Sequence, residues 1–331
     1  MYTVCLVPGD GIGLEVIPAA KRVLEATGLG FKFQTANAGW HSFETYGTSV
    51  PEGTLELIKE SDAALAGAFS SPSRKVEGYV SAIGTMRRKL GLFANLRPAK
   101  SRPVAGCQQG IDMLMVRENT EGLYAGQERR YGDVALAEAV ITKAACTRIG
   151  QVALEHATKR RQKLAVVHKA NILPLTTGLF LETVMALAER HPGVDAYDVI
   201  VDAAAMRLVR YPESFDVLVT TNLFGDILSD LMAGLVGGLG LAPSANLGAE
   251  HALFEPVHGS APDIAGKGIA NPTATVLSAA MMLEYLGETA AATRVETAVN
   301  TVLQASSLTP DLGGNASTET FTDALLKVLE G

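Results

Sequence analysis

Two aspartates four residues apart, in Asn222-Leu-Phe-Gly-Asp226-Ile-Leu-Ser-Asp230, could hold a metal ion. On a helix that spacing puts both carboxylates on one face, one turn apart. Like charges so placed repel each other unless a cation neutralises them. Oxygen donors suit a hard divalent ion, and the absence of His and Cys from the stretch disfavours zinc. The same pair serves equally as two solvated acids near a helix N-terminus, for which Asn222 is a fitting cap. Asp202 tilts the balance toward a metal. It ends an apolar run, Tyr197–Val201, that reads as a strand, and α/β enzymes place functional groups at strand ends.

Arginines form a second set. They occur in Met86-Arg87-Arg88-Lys89, Asn95-Leu-Arg97-Pro98 and Met115-Val-Arg117-Glu118. A guanidinium grips a carboxylate through two parallel hydrogen bonds. Arginines clustered in a chain of net charge −7 suit a small polyanion. Arg87 and Arg88, taken with Lys89, read as a solvated helix face, whereas Arg97 and Arg117 follow apolar runs. Tyr124 and Lys169 also follow strand-like runs, the latter in Val167-His168-Lys169-Ala-Asn171. A tyrosine usually packs and a lysine usually lies in solvent. Beside a divalent cation and arginines a lysine pKa falls, which makes it a usable proton carrier. His168 reads as a structural neighbour.

The third set is the run FEPVHGSAPDIAGKGIANP at residues 254–272. It carries Glu255, His258, Gly259, Ser260, Ala261, Asp263 and Asn271. Small residues let backbone approach a ligand closely. A carboxylate such as Asp263 can accept hydrogen bonds from ribose hydroxyls and would repel a 2′-phosphate. A surface loop with one solvated acid has the same composition.

Short apolar runs alternating with amphipathic stretches must position these groups. Strands are expected at 3–7, 31–37, 63–67, 93–97, 111–117, 164–168, 196–202 and 216–220. Helices are expected at 13–27, 51–60, 82–90, 144–158, 174–190, 223–236, 272–286, 289–303 and 318–329. The alternation predicts an α/β architecture with a mostly parallel sheet. Pro8-Gly-Asp-Gly-Ile12-Gly13 follows a strand and opens a helix, but its glycine spacing departs from the dinucleotide fingerprint. No acid ends the second strand, so it is not evidence for a Rossmann fold. The 331 residues, 47% hydrophobic and 19% charged, suffice for one large or two intermediate domains. The negative charge argues against nucleic-acid and anionic-membrane partners. No apolar run reaches the length of a membrane span. The three cysteines form no CxxC and read as free thiols of a reducing compartment, which points to the cytoplasm.

Taken together, these motifs resemble the metal-dependent, decarboxylating β-hydroxyacid dehydrogenases that act on isocitrate, 3-isopropylmalate, homoisocitrate and tartrate or malate. The resemblance covers nearly the whole chain. It implies that family's two-domain fold, with residues 1–98 plus 237–331 binding coenzyme and 99–236 carrying substrate, metal and the dimer contact. It implies Mg²⁺ or Mn²⁺ on Asp226 and Asp230 together with Asp202 of a second subunit. Active sites would then be shared in a homodimer, with further pairing into tetramers left open. It implies a carboxylate cage of Arg87, Arg97 and Arg117, Tyr124 as the acid that protonates carbon, and a partner-subunit Lys169 as the base. Asn171 falls near substrate and nicotinamide. Ile12 falls on the adenine, beside the loop residues from Glu255 to Asn271. The pair Asp263-Ile264 implies NAD, because NADP-preferring members carry Lys and Tyr there. The stretch 124–143 resembles an intersubunit hairpin.

The substrate side group would meet Ser70-Ser71-Pro-Ser73-Arg74-Lys75 through Tyr79-Val-Ser81-Ala-Ile83-Gly84. Ser71 and Ser81 offer hydroxyls suited to a distal carboxylate, and with SPSRKVEGY and VRENTEGLYAGQERRY the stretch resembles the homoisocitrate branch of bacterial lysine biosynthesis. Gly84 departs from members with Arg there, which leaves the choice between homoisocitrate and isocitrate open; 3-isopropylmalate is a further alternative substrate of the same family. A non-catalytic binding paralogue is the remaining alternative, and it would be expected to lack some of Tyr124, Lys169, Asp202, Asp226 and Asp230.

Overall fold

A computed structural model describes the whole chain except Lys75, in the stretch assigned to substrate choice, and Ser306. In chain order the elements are β1 (Tyr2–Gly9), α1 (Gly13–Glu25), β2 (Phe31–Thr35), α2 (Trp40–Tyr46), α3 (Glu52–Lys59), β3 (Ala63–Ala68), α4 (Ala82–Lys89), β4 (Ala94–Lys100), β5 (Asp112–Glu118), β6 (Gly122–Tyr131), β7 (Val134–Val140), α5 (Lys143–Lys159), β8 (Lys163–His168), α6 (Thr177–Ala188), β9 (Asp195–Ile200), α7 (Val201–Arg210), β10 (Val217–Thr220), α8 (Asn222–Leu235), β11 (Pro243–Leu247), β12 (Ala252–Pro256), α9 (Thr273–Tyr285), α10 (Thr289–Gln304) and α11 (Thr318–Glu330). Strands are mostly parallel and helices flank them. The chain divides into two compact units, one of Met1–Leu92, Arg102–Cys107 and Gly237–Gly331, the other of Phe93–Ser101 and Gln108–Val236.

In the first unit the strand order is β2-β1-β3-β12-β11. All neighbours are parallel except β11 with β12. β3 is Ala-Ala-Leu-Ala-Gly-Ala and is buried throughout, as expected for a parallel strand covered on both faces. The strands β1 and β3 are parallel, but the order of winding reverses there, with β2 on one side of β1 and β3 on the other, so their carboxyl ends frame a crevice of the kind that binds ligands in open α/β sheets. Pro8-Gly9-Asp10-Gly11 leaves β1 there, and Phe69-Ser70 leaves β3 there.

In the second unit the order is β4-β5-β10-β8-β9, with only β4 antiparallel. Arg117, Thr220, His168 and Ile200 stand at the carboxyl ends of β5, β10, β8 and β9. β6 and β7 form a separate two-stranded hairpin with residues 123–138 exposed. A lone hairpin is marginal in water.

Several sequence expectations change, and helix α2 was not among the expected elements. Asp202 does not end a strand: β9 stops at Ile200, and Asp202 lies in the first turn of α7. The apolar run Tyr197–Val201 continued unbroken into the helix and hid the boundary. Asn222 is not the cap of α8, whose capping position is Thr221. β11 and β12 were not anticipated, because Pro-Ser-Ala-Asn-Leu shows no strand periodicity. Among the described residues no helix is long and apolar enough to cross a membrane.

All three cysteines are free thiols. Burial pushes the Cys5 thiol up to about 12, and burial with Glu121 and Glu118 nearby does the same to Cys146. The thiolate is the nucleophile, so both should resist alkylation at pH 8 in the native protein and react fully in denaturant. Mass spectrometry of iodoacetamide-treated protein checks this, and native-state labelling of Cys5 would contradict its burial.

Candidate active site

The site in the second unit is built around Arg117, one of the largest side chains with no appreciable exposure. Helix α8 approaches it closely: a Cβ at Gly225 would lie 2.6 Å from Arg117 Cγ, so only glycine fits. Arg117 Nε and Nη2 both donate to Asn222 Oδ1, at 3.0 and 2.7 Å. Two donors facing one atom require that atom to be the amide oxygen. Arg117 Nη1 pairs with Asp226. Arg97 Nη1 reaches Asp230 Oδ1 at 3.2 Å and Asp226 Oδ1 at 3.5 Å, while its Nε donates to Asn95. Two buried guanidinium groups thus face the two α8 carboxylates expected from the i, i+4 spacing. Partial burial and the adjacent Asp226 raise the Asp230 carboxyl pKa, while Arg97 and Arg117 lower it.

Tyr124 joins this cluster. Its hydroxyl donates to Asp226 Oδ2 at 2.6 Å, and its ring lies 5.2 Å from the Arg117 guanidinium. The β6–β7 register slips between Gly122 and Gln127, so Tyr124 sits on a bulge, flanked by Gly122 and Gly126 at positive φ. Bulges re-aim side chains and recur beside active sites. Burial and the hydrogen bond to Asp226 raise the Tyr124 pKa and keep the phenol protonated.

Lys169 and Asp202 stand together elsewhere in the unit. Lys169 Nζ pairs with Asp202 Oδ1 and, as the leading cause, lowers the Asp202 carboxyl pKa. Among the described residues no three acidic, His or Cys side chains gather to hold a metal. One chain therefore brings together Asp226 and Asp230 and leaves Asp202 apart. Asn171 is exposed in the loop after β8.

In the first unit Arg87 is not solvated. Its Nε donates to Asn246 Oδ1 at 2.9 Å, and its Nη2 pairs with Glu255 Oε1 at 3.0 Å. Ser81 caps α4 by accepting from Gly84 N–H. Ser71 lies with Tyr79 and Val80 along an open hollow of about 840 Å³. A Cβ at Gly84 would meet only Ser81, at ordinary contact distance, so the position tolerates a side chain.

Loop 257–271 leaves β12 over the β1/β3 crevice. Gly11 admits it: a Cβ there would lie 2.1 Å from the Ser260 carbonyl oxygen, which instead accepts from Ile12 N–H at 2.9 Å. Ser70 Oγ donates to Ser260 Oγ at 2.7 Å. Ile12 is buried among Val16, Ala68 and Ala270, with Ala261 and Ile264 packed on them. Asn271 Nδ2 donates to Asp311. Gly259 and Asp263 are exposed. His258 Nε2 is buried without a protein partner, and burial lowers the imidazole pKa.

Sequence reasoning passed over Asp10. It is buried, and its carboxylate accepts from Trp40 N–H at 2.8 Å, His41 N–H at 3.0 Å and Ser70 N–H at 2.9 Å. Its signal was an acid between two glycines at the end of the first strand.

The model of the isocitrate/isopropylmalate dehydrogenase family matches residues 3–325. The chain belongs to this family. An isocitrate/homoisocitrate dehydrogenase of Thermus thermophilus is 64% identical over 330 residues, covering 99% of each chain. A 3-isopropylmalate/3-methylmalate dehydrogenase of Methanocaldococcus jannaschii is 49% identical, covering 99% of this chain and 98% of its own. The crystal structure of isocitrate dehydrogenase from Methylococcus capsulatus superposes with a TM-score of 0.96 at 45% identity over the full length of both chains. The chain is accordingly a decarboxylating dehydrogenase with its family's fold, as its motifs implied.

Proposed function

We propose that the protein catalyses the NAD-dependent, metal-dependent oxidative decarboxylation of homoisocitrate to 2-oxoadipate, in the aminoadipate route to lysine. The observation that carries the chemistry is the convergence of Tyr124, Asp226, Arg97 and Arg117. A protonated phenol, a carboxylate and two buried guanidinium groups there suit an anionic substrate that must be protonated at carbon. The 64% identical relative's name favours homoisocitrate or isocitrate over 3-isopropylmalate.

The donor chemistry fits both absent groups. Asp226 and Asp230 offer oxygen ligands to a hard cation, and Asp202 of a second subunit would complete the set. His258 Nε2 is a buried nitrogen awaiting a partner, and exposed Asp263 suits a ribose without 2′-phosphate. When bound, NAD⁺ accepts hydride and the divalent ion acidifies the substrate alcohol and stabilises enolate charge. The remaining roles belong to side chains. Arg97 and Arg117, with Arg87, hold the carboxylates of the malate core. Lys169 of a second subunit takes the hydroxyl proton, and Tyr124 delivers a proton to carbon after CO₂ leaves. Loop residues Gly259, Ser260, Ala261 and Asn271, with Ile12, Glu255 and Asn171, bound the coenzyme. Ser71, Ser81 and Gly84 border the side group. The exposed β6–β7 hairpin suits pairing with a second copy, which makes the active unit a homodimer. A cytoplasmic setting matches the free thiols.

NADH formation with homoisocitrate, isocitrate and 3-isopropylmalate, with NAD⁺ or NADP⁺ and with Mg²⁺ or EDTA, tests this. The expected result is Mg²⁺-dependent turnover favouring homoisocitrate and NAD⁺. Substrates differing by one methylene are separated by only about 1–3 kcal/mol, so measurable isocitrate activity accompanies it. Preference for isocitrate would move the protein to that reaction. No turnover by folded, metal-supplied dimer would favour a binding paralogue.

A further inference from the structure

His168 ends β8 and is buried, next to Lys169. Its Nδ1 accepts from Ala170 N–H at 3.0 Å. A nitrogen that accepts from an amide carries no proton, so in the neutral ring the proton sits on Nε2. Nε2 faces Asp198 Oδ2 at 3.2 Å, on neighbouring β9. The ring is therefore held at both nitrogens, one by the strand beside it and one by the turn ahead.

That turn carries Lys169, and its main chain is fully engaged. Lys169 N–H donates to Thr177 Oγ1 at 3.2 Å, and its carbonyl accepts from Ile172 and Leu173 N–H at 3.0 and 2.8 Å. With these bonds made, the direction in which the Lys169 side chain leaves the backbone is set by the turn. The His168–Ala170 bond closes the turn across Lys169. It has the pattern of an Asx turn, with imidazole Nδ1 where an Asn Oδ1 would stand.

We propose that His168, with its proton on Nε2, is a positioning residue for Lys169: it closes the turn that aims the ammonium group. This rests on the assignment of Lys169 as the base. His168 touches no reacting atom and acts only through its neighbour.

The two ring nitrogens can be tested separately. Asn at 168 keeps an acceptor at the δ position. Gln keeps a donor toward Asp198 but lacks the δ acceptor, and Leu lacks both. If the turn is the function, His168→Leu and His168→Gln should each lower kcat about 100-fold, the scale of a 1 Å misplacement, and His168→Asn should recover most of that loss. KM should change little in all three. In a Lys169→Ala background the His168→Leu substitution should cost no further activity, because there is no ammonium left to aim. Equal losses in the two backgrounds would overturn the proposal, as would rescue by Gln rather than Asn. If Lys169→Ala alone turned over at the parental rate, the base assignment would fail instead. A ¹⁵N–¹H spectrum of the imidazole provides a readout independent of activity. Protonated Nε2 with bare Nδ1 is expected, and the opposite tautomer would also overturn the proposal.

Discussion

Replacing Tyr124 with Phe is expected to slow ketone formation at least 100-fold while leaving much of the hydride transfer in place, since a positioned acid contributes about 10²–10⁴-fold. Two features of the site underlie this. The phenol hydroxyl is 2.6 Å from Asp226 Oδ2, and burial and that hydrogen bond keep it protonated. It is therefore loaded with the proton that the carbon requires after decarboxylation. The Phe ring keeps its place beside the Arg117 guanidinium, so the arginine and its two hydrogen bonds to Asn222 should stay put. Stability should fall by no more than about 1 kcal/mol, the net worth of one hydrogen bond. Following NADH by absorbance and 2-oxo acid by derivatisation separates the steps. NADH should appear ahead of ketone, and the decarboxylated enol should accumulate. Parental rates for both products would remove Tyr124 from its role.

What could be seen of this site in the sequence depended on whether a local rule described it. Asp226 and Asp230 were legible because helix periodicity alone places i and i+4 on one face. Long helices such as α5 and α9 were legible for the same reason, and their ends differ from expectation by a few residues at most, as helix ends do. The bulge under Tyr124 was not legible, although Gly122 and Gly126 bracket it, because a register shift is a property of two strands. Asn222 satisfied the composition rule for a cap, but the buried Arg117 took its oxygen instead. Arg87 sat in a run of three cations, Arg87-Arg88-Lys89, that reads as a solvent face. The residues that bury it, Asn246 and Glu255, lie more than 150 positions away. Such pairings are made by the tertiary fold, and only the family resemblance hinted that Arg87 was special.

Asp10 shows the same limit and yields a substitution with a large expected effect on stability. Helix α2 begins after Gly39, which has no side chain to cap it and a φ of 115°. The first amides of a helix need acceptors. Asp10 supplies them from across the unit, taking Trp40 N–H on Oδ2 and His41 N–H on Oδ1, with Ser70 N–H also on Oδ2. Gly39 is required for this: a Cβ there would stand 2.3 Å from the Asp10 carboxylate. Both carboxylate oxygens are acceptors, so Asp10→Asn must turn an NH₂ group toward a backbone N–H. The amide variant should therefore lose about 2–4 kcal/mol, because buried donors are left unpaired and an added donor opposes one of them. Asp10→Ala should lose a similar amount. Ser70, which Asp10 anchors, donates in turn to Ser260 of the proposed coenzyme loop, so the damage should reach function. KM for NAD⁺ should rise more than KM for the acid substrate. Urea unfolding of the variant beside the parent, with both KM values measured at saturating co-substrate, checks this. An Asp10→Asn protein as stable as the parent would mean that α2 and the Ser70 turn find other acceptors. A rise confined to the KM of the acid would separate Asp10 from the coenzyme loop.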